Sequence, residues 1–159
     1  MRHAKSSRDD IALIDYDRVL NQRGLNDAQH IGSYLYNRLG TPHLIISSPS
    51  VRTRQTAELA ASKLLYPCEK IQFAKKLYES SLRDIMSVIH DIKDNIKTVV
   101  VIGHNPSVSA VANYLNGNFS EIISTASAVC FNINVDSWDL LGNDAAEVSF
   151  FITPKTIYT

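Results

Sequence analysis

Residues 98–106 read Thr-Val-Val-Val-Ile-Gly-His-Asn-Pro. The unbroken, mostly β-branched run at 98–102 predicts a β-strand that is covered on both faces, as strands of parallel sheets are. Asn105 followed by Pro106 predicts a helix that begins at Pro106 with Asn105 as its N-cap, because proline suits the first helical position and asparagine satisfies free N–H groups. The stretch therefore predicts a strand that leads directly into a helix, which is the repeating unit of a parallel α/β sheet.

Strands and helices alternate on both sides of this stretch. Short apolar runs predict strands at residues 44–47 and 71–73, and amphipathic spacing predicts helices at 22–39, at 51–66, from 81 onward and from 106 onward. Two later runs, 128–135 and 147–152, predict an antiparallel hairpin at the edge of the sheet. The order predicts a single-domain, three-layer α/β/α sandwich over residues 1–159, with a mostly parallel sheet.

Residue types at the helix ends support these limits. Asn21 is a suitable N-cap for the helix at 22–39, and Gly40 is a suitable stop after it. Ser81 and Asp84 have the spacing of a capping box, in which each side chain accepts a hydrogen bond from the other residue's backbone N–H. We therefore expect these two helices to begin near residues 22 and 81.

The composition argues against several functional classes. Among 159 residues, 16 Lys and Arg balance 16 Asp and Glu, and the sequence pI is about 7.0, which does not favour nucleic acid or an anionic membrane as a partner. No apolar run approaches the roughly 18–20 residues that a membrane span needs, so we expect a soluble, cytoplasmic protein. Cys68 and Cys130 lie in no metal-ligand spacing and are predicted to be reduced thiols.

Two basic residues lie where a parallel sheet gathers anions. Seven of the eight arginines fall within residues 1–54, and Arg52 lies in the first turn of a predicted helix, where the helix dipole disfavours a cation unless an anion is bound. His104 follows the strand at 98–102, at the same edge of the sheet. The residues alone leave two interpretations open: a phosphate or carboxylate site built by Arg52 and His104, or ordinary structural positions for both.

An acidic segment follows the N-terminus. Asp9, Asp10, Asp15 and Asp17 lack the spacing of a cation-binding loop. We interpret them as a solvated acidic loop, and no metal site is predicted.

Four segments occur in the order and spacing of one known family. They are RHAKS at residues 2–6, LNQRG at 20–24, SPSVRTRQTA at 48–57 and GHNP at 103–106. With these motifs the chain resembles the histidine phosphatase superfamily, which has the phosphoglycerate-mutase-like fold, and most closely its small phosphohistidine phosphatases of the SixA type. The resemblance covers residues 1 to about 115.

The resemblance implies a role for each basic residue in these motifs. His3 is expected to be the nucleophile, Arg2 and Arg52 to hold the transferring phosphoryl group, and His104 to complete the pocket. A neutral imidazole can attack phosphorus and give a phosphohistidine that water then hydrolyses, so one difficult displacement becomes two easier ones. The fixed positive charges of Arg2 and Arg52 are expected to stabilise the negative charge on the equatorial oxygens of the transferring phosphoryl group. The resemblance implies no metal and no cofactor.

The proton donor to the leaving group is predicted less directly. Glu79 follows the strand at 71–73 and precedes the helix that starts near Ser81, so it lies at the carboxyl end of a strand. Larger members of the family carry an acid in this general region, which makes Glu79 a candidate general acid. The alternative is that Glu79 is a carboxylate placed at a helix start by its favourable interaction with the dipole.

The chain lacks the insertions that cover the pocket in the mutases and sugar-phosphate phosphatases of this family. Only 26 residues, 53–78, separate Arg52 from Glu79, and a helix and a strand fill them. We therefore expect an open pocket and a phosphorylated protein as substrate, with phosphohistidine on a histidine-containing phosphotransfer domain as the leading candidate. The alternatives are a phosphatase of small phosphate esters and a noncatalytic phosphoprotein-binding module.

The start of the chain departs from the family pattern. In the proteins it resembles, the Arg-His pair ends an apolar strand inside the sheet, whereas here Met1 stands directly before Arg2. A missing central strand would leave buried N–H and C=O groups unpaired, at roughly 1–3 kcal/mol each. We expect the native protein to start about five to seven residues upstream, as in the family pattern, and the intact mass of the protein from its own source would test this.

Overall fold

The computed structural model describes residues 1–7 and 14–158. A parallel sheet is formed by β1 (Leu44–Ser47), β2 (Gln72–Phe73) and β3 (Val99–Ile102), with β1 in the centre. All three strands run in the same direction, and Ser47 at the end of β1 lies opposite Phe73 on one side and Ile102 on the other. The carboxyl ends of the three strands therefore meet at one edge of the sheet.

Helices cover both faces of this sheet. One face packs against α1 (Gln22–Leu39) and α2 (Val51–Lys63), and the other packs against α3 (Leu82–His90) and α4 (Ser107–Leu115). The side chains of β1 alternate accordingly, with Ile45 in the first core and Leu44 and Ile46 in the second. These two cores confirm the predicted α/β architecture with its three layers.

The predicted hairpin forms, but as a small sheet of its own. It consists of β4 (Ala128–Ile133) and β5 (Ala146–Ile152), paired antiparallel, and a short helix α5 (Pro154–Ile157) follows it. The N-terminal segment joins this sheet to the parallel one. The His3 N–H donates to the Gly103 carbonyl beside β3, and the Arg2 N–H donates to the Ser127 carbonyl beside β4, both at 3.0 Å.

The helix limits follow the predicted caps closely. The Asn21 side chain accepts a hydrogen bond from the Gly24 N–H at the start of α1, and Gly40 ends this helix with a positive φ of 70°. Ser81 and Asp84 form the predicted capping box of α3. The second helix, α2, ends at Lys63, three residues before its predicted limit of 66.

The predicted start of the fourth helix is wrong by one residue. The helix α4 begins at Ser107, and Pro106 is its N-cap residue. Asn105 does not cap it, because its side-chain amide donates to the Ile123 carbonyl at 3.2 Å and its side-chain oxygen accepts from the Ser109 hydroxyl. The asparagine is therefore used to hold the chain near residue 123.

An apolar cavity of about 490 Å³ lies between β3 and β4 on the approach to Met1. Val99 and Val101 line it on one side, and Val129 and Phe131 line it on the other. The upstream strand expected from the family pattern stays a prediction. Within the described residues, no helix combines the length and the apolar character needed to cross a bilayer.

Candidate active site

His3 lies at the carboxyl edge of the parallel sheet, because its N–H is paired with Gly103 just after β3. Its Nδ1 lies 2.7 Å from the Ala4 carbonyl oxygen, so Nδ1 carries the proton and donates it. The ring is 9% exposed, and burial, together with the nearby charges of Arg52 and Arg2, lowers the pKa of His3 to about 4. His3 is therefore neutral at pH 7, with an unprotonated Nε2.

Close packing against the start of α1 fixes the path of the backbone that follows His3. Gly24 lies against the backbone of Lys5, and a Cβ at residue 24 would stand 2.1 Å from the Lys5 carbonyl oxygen. That carbonyl accepts the Asn21 N–H at 3.0 Å, just before α1. The first and second sequence motifs are therefore neighbours, and the glycine is needed for their close approach.

Arg52 lies in the first turn of α2 and is 6% exposed. Its Nε–H points at His3 Nε2 over 3.4 Å, and its Nη2 lies 3.3 Å from His104 Nδ1. The structure thus brings the predicted arginine between the two predicted histidines. A cation is unfavourable at the start of a helix, but Arg52 is stabilised there by its contacts with the two histidines and by an ion pair with Asp15.

The loop before α2 is held by buried hydroxyl groups. The Thr53 hydroxyl donates to the Ser48 carbonyl at 2.8 Å and also lies 2.8 Å from the Ser50 hydroxyl. Ser48, Ser50 and Thr53 are fully buried. This network accounts for the serine- and threonine-rich motif at residues 48–57, because it fixes the turn that aims Arg52.

His104 follows β3 and Gly103, and its ring centroid lies 5.2 Å from that of His3. Because Arg52 donates toward Nδ1, the proton of His104 resides on Nε2, which lies 2.8 Å from the Ser48 hydroxyl. Burial first, and then the interaction with the neighbouring His3 ring and the charge of Arg52, lower the pKa of His104 to about 3. Both imidazoles of the site are therefore neutral at pH 7.

Arg2 approaches the site from the N-terminal segment. Its Nη1 donates to the Ile123 carbonyl at 3.0 Å, the same carbonyl that Asn105 holds. Its Nε is buried and has no hydrogen-bond partner among the described residues. A buried donor of this kind costs about 1–3 kcal/mol when unpaired, so an oxyanion at this position would be stabilised.

Asp15 is a site residue that sequence reasoning missed. Its carboxylate accepts from Arg52 Nη2 at 2.8 Å and from the Tyr78 hydroxyl at 3.3 Å, and its carbonyl accepts from Arg52 Nη1. Partial burial acts to raise the pKa of Asp15, but the hydrogen bonds and charge of Arg52 outweigh it and lower the pKa below its ordinary value.

The exposure of Asp15 agrees with the interpretation of this segment as a solvated acidic loop, but that interpretation missed the ion pair of Asp15 with Arg52. Asp17 is exposed, as that interpretation expects, while Asp9 and Asp10 lie outside the described residues. Nothing in the local pattern distinguishes Asp15 from Asp17. Asp15 differs from Asp17 because Arg52 and Tyr78 pack on the side of the short helix where Asp15 lies.

Glu79 is not brought into the cluster. It is exposed, with a positive φ of 49°, and it makes no hydrogen bond or ion pair with any described residue. Its neighbour Tyr78 makes the contacts instead, since the Tyr78 ring lies 5.6 Å from the His104 ring and its hydroxyl reaches Asp15. A role for Glu79 as general acid stays a prediction.

The cluster has the parts of an anion site with a nucleophile. Two guanidinium groups supply fixed positive charge, one carboxylate offsets part of it, and a neutral imidazole presents an unprotonated nitrogen. Among the residues that the structure describes, no group of three or more His, Cys, Asp and Glu is arranged to hold a metal ion. The arrangement suits phosphoryl transfer, in which catalysis is mostly positioning and charge stabilisation.

The depressed pKa values of His3 and His104 predict acid sensitivity of the fold. Their pKa values lie near 4 and 3 in the folded protein and near 6.5 in the unfolded chain, so between pH 6.5 and about 4 the unfolded chain binds more protons. The free energy of unfolding should therefore decrease as the pH is lowered through this range, by up to about 1.4 kcal/mol per pH unit for each histidine.

Urea denaturation at pH 7, 6 and 5 would measure this fall. The variant His104→Gln removes one of the titrating groups, so its free energy of unfolding should depend on pH less steeply than that of the unaltered chain in this range. A free energy of unfolding that does not change between pH 7 and pH 5 would contradict the buried, neutral state of both rings.

The sequence of this chain matches a family profile and a curated relative. The profile of the histidine phosphatase superfamily (branch 1) matches residues 1–88. An uncharacterized protein of Mycobacterium tuberculosis strain H37Rv, Rv1276c, is 34% identical over 134 residues, which are 84% of this chain and 78% of that protein.

Solved structures share the fold. The protein histidine phosphatase SixA complexed with tungstate superposes with a TM-score of 0.84 at 18% identity, covering 99% of this chain and 96% of that one. A phosphoserine phosphatase of Entamoeba histolytica in complex with 3-phosphoglyceric acid gives a TM-score of 0.62 at 14% identity, covering 96% and 94%. At these identities the two structures establish a common architecture.

Proposed function

Because this chain belongs to the histidine phosphatase superfamily, we propose that it is a phosphatase that removes phosphate from phosphohistidine on a protein. The observation that carries the proposal is the state of His3. Its Nδ1–H is bound to the Ala4 carbonyl, and its unprotonated Nε2 lies 3.4 Å from Arg52 Nε. A nucleophile is thus fixed in orientation beside the cation that would hold the phosphoryl group.

The first chemical step transfers the phosphoryl group between two imidazoles. His3 Nε2 forms a bond to phosphorus while the bond between phosphorus and the substrate imidazole breaks. The leaving imidazole departs neutral when its second ring nitrogen has taken a proton from solvent. Since the entering and leaving groups are chemically alike, the step needs little help from a general acid, which fits the solvent-exposed position of Glu79.

The second step returns the enzyme to its first state. A water molecule attacks phosphorus, the bond to His3 Nε2 breaks, and inorganic phosphate leaves. Arg52 binds the equatorial oxygens in both steps, together with Arg2, whose buried Nε has no hydrogen-bond partner among the described residues. Because the Ala4 carbonyl keeps the proton on Nδ1, His3 regains its nucleophilic tautomer when phosphate is released.

A protein substrate is supported by the interval between Arg52 and Glu79. Residues 53–78 form the rest of α2, β2, short 3-10 helices and their direct connections, with no inserted domain or long loop. Substrate-covering segments of larger enzymes have no counterpart in this interval. A phosphorylated side chain on another protein can therefore approach from the side of the pocket that this interval borders.

The decisive experiment compares two phosphorylated substrates. We expect a histidine-containing phosphotransfer domain carrying phosphohistidine to be dephosphorylated with a kcat/KM at least about 10²-fold higher than that for p-nitrophenyl phosphate, because a phosphorylated protein adds contacts around the open pocket that a small ester cannot make. We also expect added EDTA to leave the rate unchanged. Faster turnover of the small ester would favour a phosphatase of small phosphate esters, and binding without turnover would favour a phosphoprotein-binding module.

A further inference from the structure

We propose that Asp15 is an internal anion that competes with the phosphoryl group of the substrate for Arg52. The proposal rests on the proposed function only in taking Arg52 as a phosphoryl-binding group. The side chain and the carbonyl of Asp15 both face the Arg52 guanidinium. Asp15 thereby helps to set which anions the site accepts.

The donors of Arg52 are almost fully used by the protein. A guanidinium has five N–H groups. One is directed at His3 Nε2, one at the Asp15 carbonyl, one at the Asp15 carboxylate and one at His104 Nδ1. A phosphoryl group that binds Arg52 through two parallel hydrogen bonds must therefore replace contacts that are now made by Asp15.

The Asp15 carboxylate occupies a position built for an anion. Arg18 donates to Oδ1 at 3.0 Å, while Arg52 and Tyr78 donate to Oδ2 at 2.8 and 3.3 Å. Three donors from three parts of the chain thus converge on one carboxylate. A phosphoryl group offers Arg52 more oxygens and a higher charge than a carboxylate does, so it is the stronger ligand of the two.

Asp15 is also placed so that it can leave this position. Its side chain is 53% exposed, and it belongs to a three-residue 3-10 helix, Asp15–Asp17, that contains no buried residue. A segment that buries little apolar surface can shift at little cost. Arg52, in contrast, is buried and held by two histidines, so the carboxylate is the partner that moves.

Competition of this kind has a consequence for specificity. A free anion such as inorganic phosphate must displace Asp15 with its own contacts alone. A phosphoprotein adds contacts from its surface, so it displaces Asp15 more readily than its product does. The return of Asp15 to Arg52 would then favour release of phosphate after each turnover.

The test is calorimetric titration of tungstate, an analogue of phosphate, into the full chain at pH 7.5 and low salt. Asp15→Asn removes the competing charge. Asp17→Asn is the matched control, because it removes the same charge only two residues along the chain. The Asp17 side chain is exposed and forms no ion pair with any described residue. We expect Asp15→Asn to bind tungstate about three- to tenfold more tightly than the unaltered chain, and Asp17→Asn to stay within about twofold.

Tyr78→Phe gives an independent measurement. It removes one hydrogen bond that holds the carboxylate and keeps the ring that packs on His104, so it should also tighten tungstate binding, by a smaller factor. Equal or weaker binding by Asp15→Asn, with binding by the unaltered chain intact, would overturn the competition and make Asp15 a residue that positions Arg52. Absence of tungstate binding by the unaltered chain would overturn both this inference and the proposed function.

Discussion

Replacing His3 with alanine is expected to abolish the covalent phosphoenzyme and to lower kcat by on the order of 10⁴–10⁶-fold. The reason is structural as well as chemical. His3 Nε2 is an unprotonated ring nitrogen held by the Ala4 hydrogen bond beside Arg52, and the described part of the site offers no second nucleophile in that orientation. Acid-labile, base-stable phosphate should be trapped during turnover on the peptide that contains His3.

The matched control for this variant is His43→Ala. His43 is exposed and lies next to the beginning of β1, at the opposite end of the sheet from the site. It should keep full activity and full phosphoenzyme formation. Trapped phosphate on a serine or an aspartate, or undiminished turnover by His3→Ala, would show that the proposed mechanism is wrong.

The second large effect is expected for Arg52→Ala, which should lower kcat by on the order of 10²–10³-fold. Arg52 is the group that links His3, His104 and Asp15, and its guanidinium supplies a buried positive charge. Arg52→Lys should recover only part of the loss, because an ammonium group cannot form the two parallel hydrogen bonds of a guanidinium. Steady-state kinetics on the phosphorylated protein substrate would measure both variants.

Arg54→Ala serves as the control for Arg52→Ala. It removes an arginine from the same helix, but Arg54 is exposed and its guanidinium lies 4.1 Å from the centre of the Phe73 ring. Its loss should therefore change kcat by less than about threefold. Similar losses for the two variants would mean that the basic surface in general, and not the Arg52 pocket, carries the activity.

The sequence alone determined most of the secondary structure and the family. The β-branched run before Gly103 predicted β3, and the caps Asn21, Ser81 and Asp84 predicted the starts of α1 and α3, because these signals act over a few neighbouring residues. The carboxyl ends of parallel strands share one edge of the sheet, so the pattern offered a shared site of Arg52 and His104 as one of two interpretations, and the structure brings these two side chains together. Family resemblance added His3 and Arg2 to that site.

The tertiary structure alone decided how these parts are used. It placed the Arg2–His3 segment between β3 and residues 126–127, it used Asn105 to hold the Ile123 carbonyl instead of capping a helix, and it set Glu79 apart from the cluster. Asp15 is the clearest case. Its partner Arg52 is 37 residues away in the chain, and Tyr78 is 63 residues away. Local patterns carry no record of such distant contacts, because the packing of separate elements brings those residues together only in the folded chain.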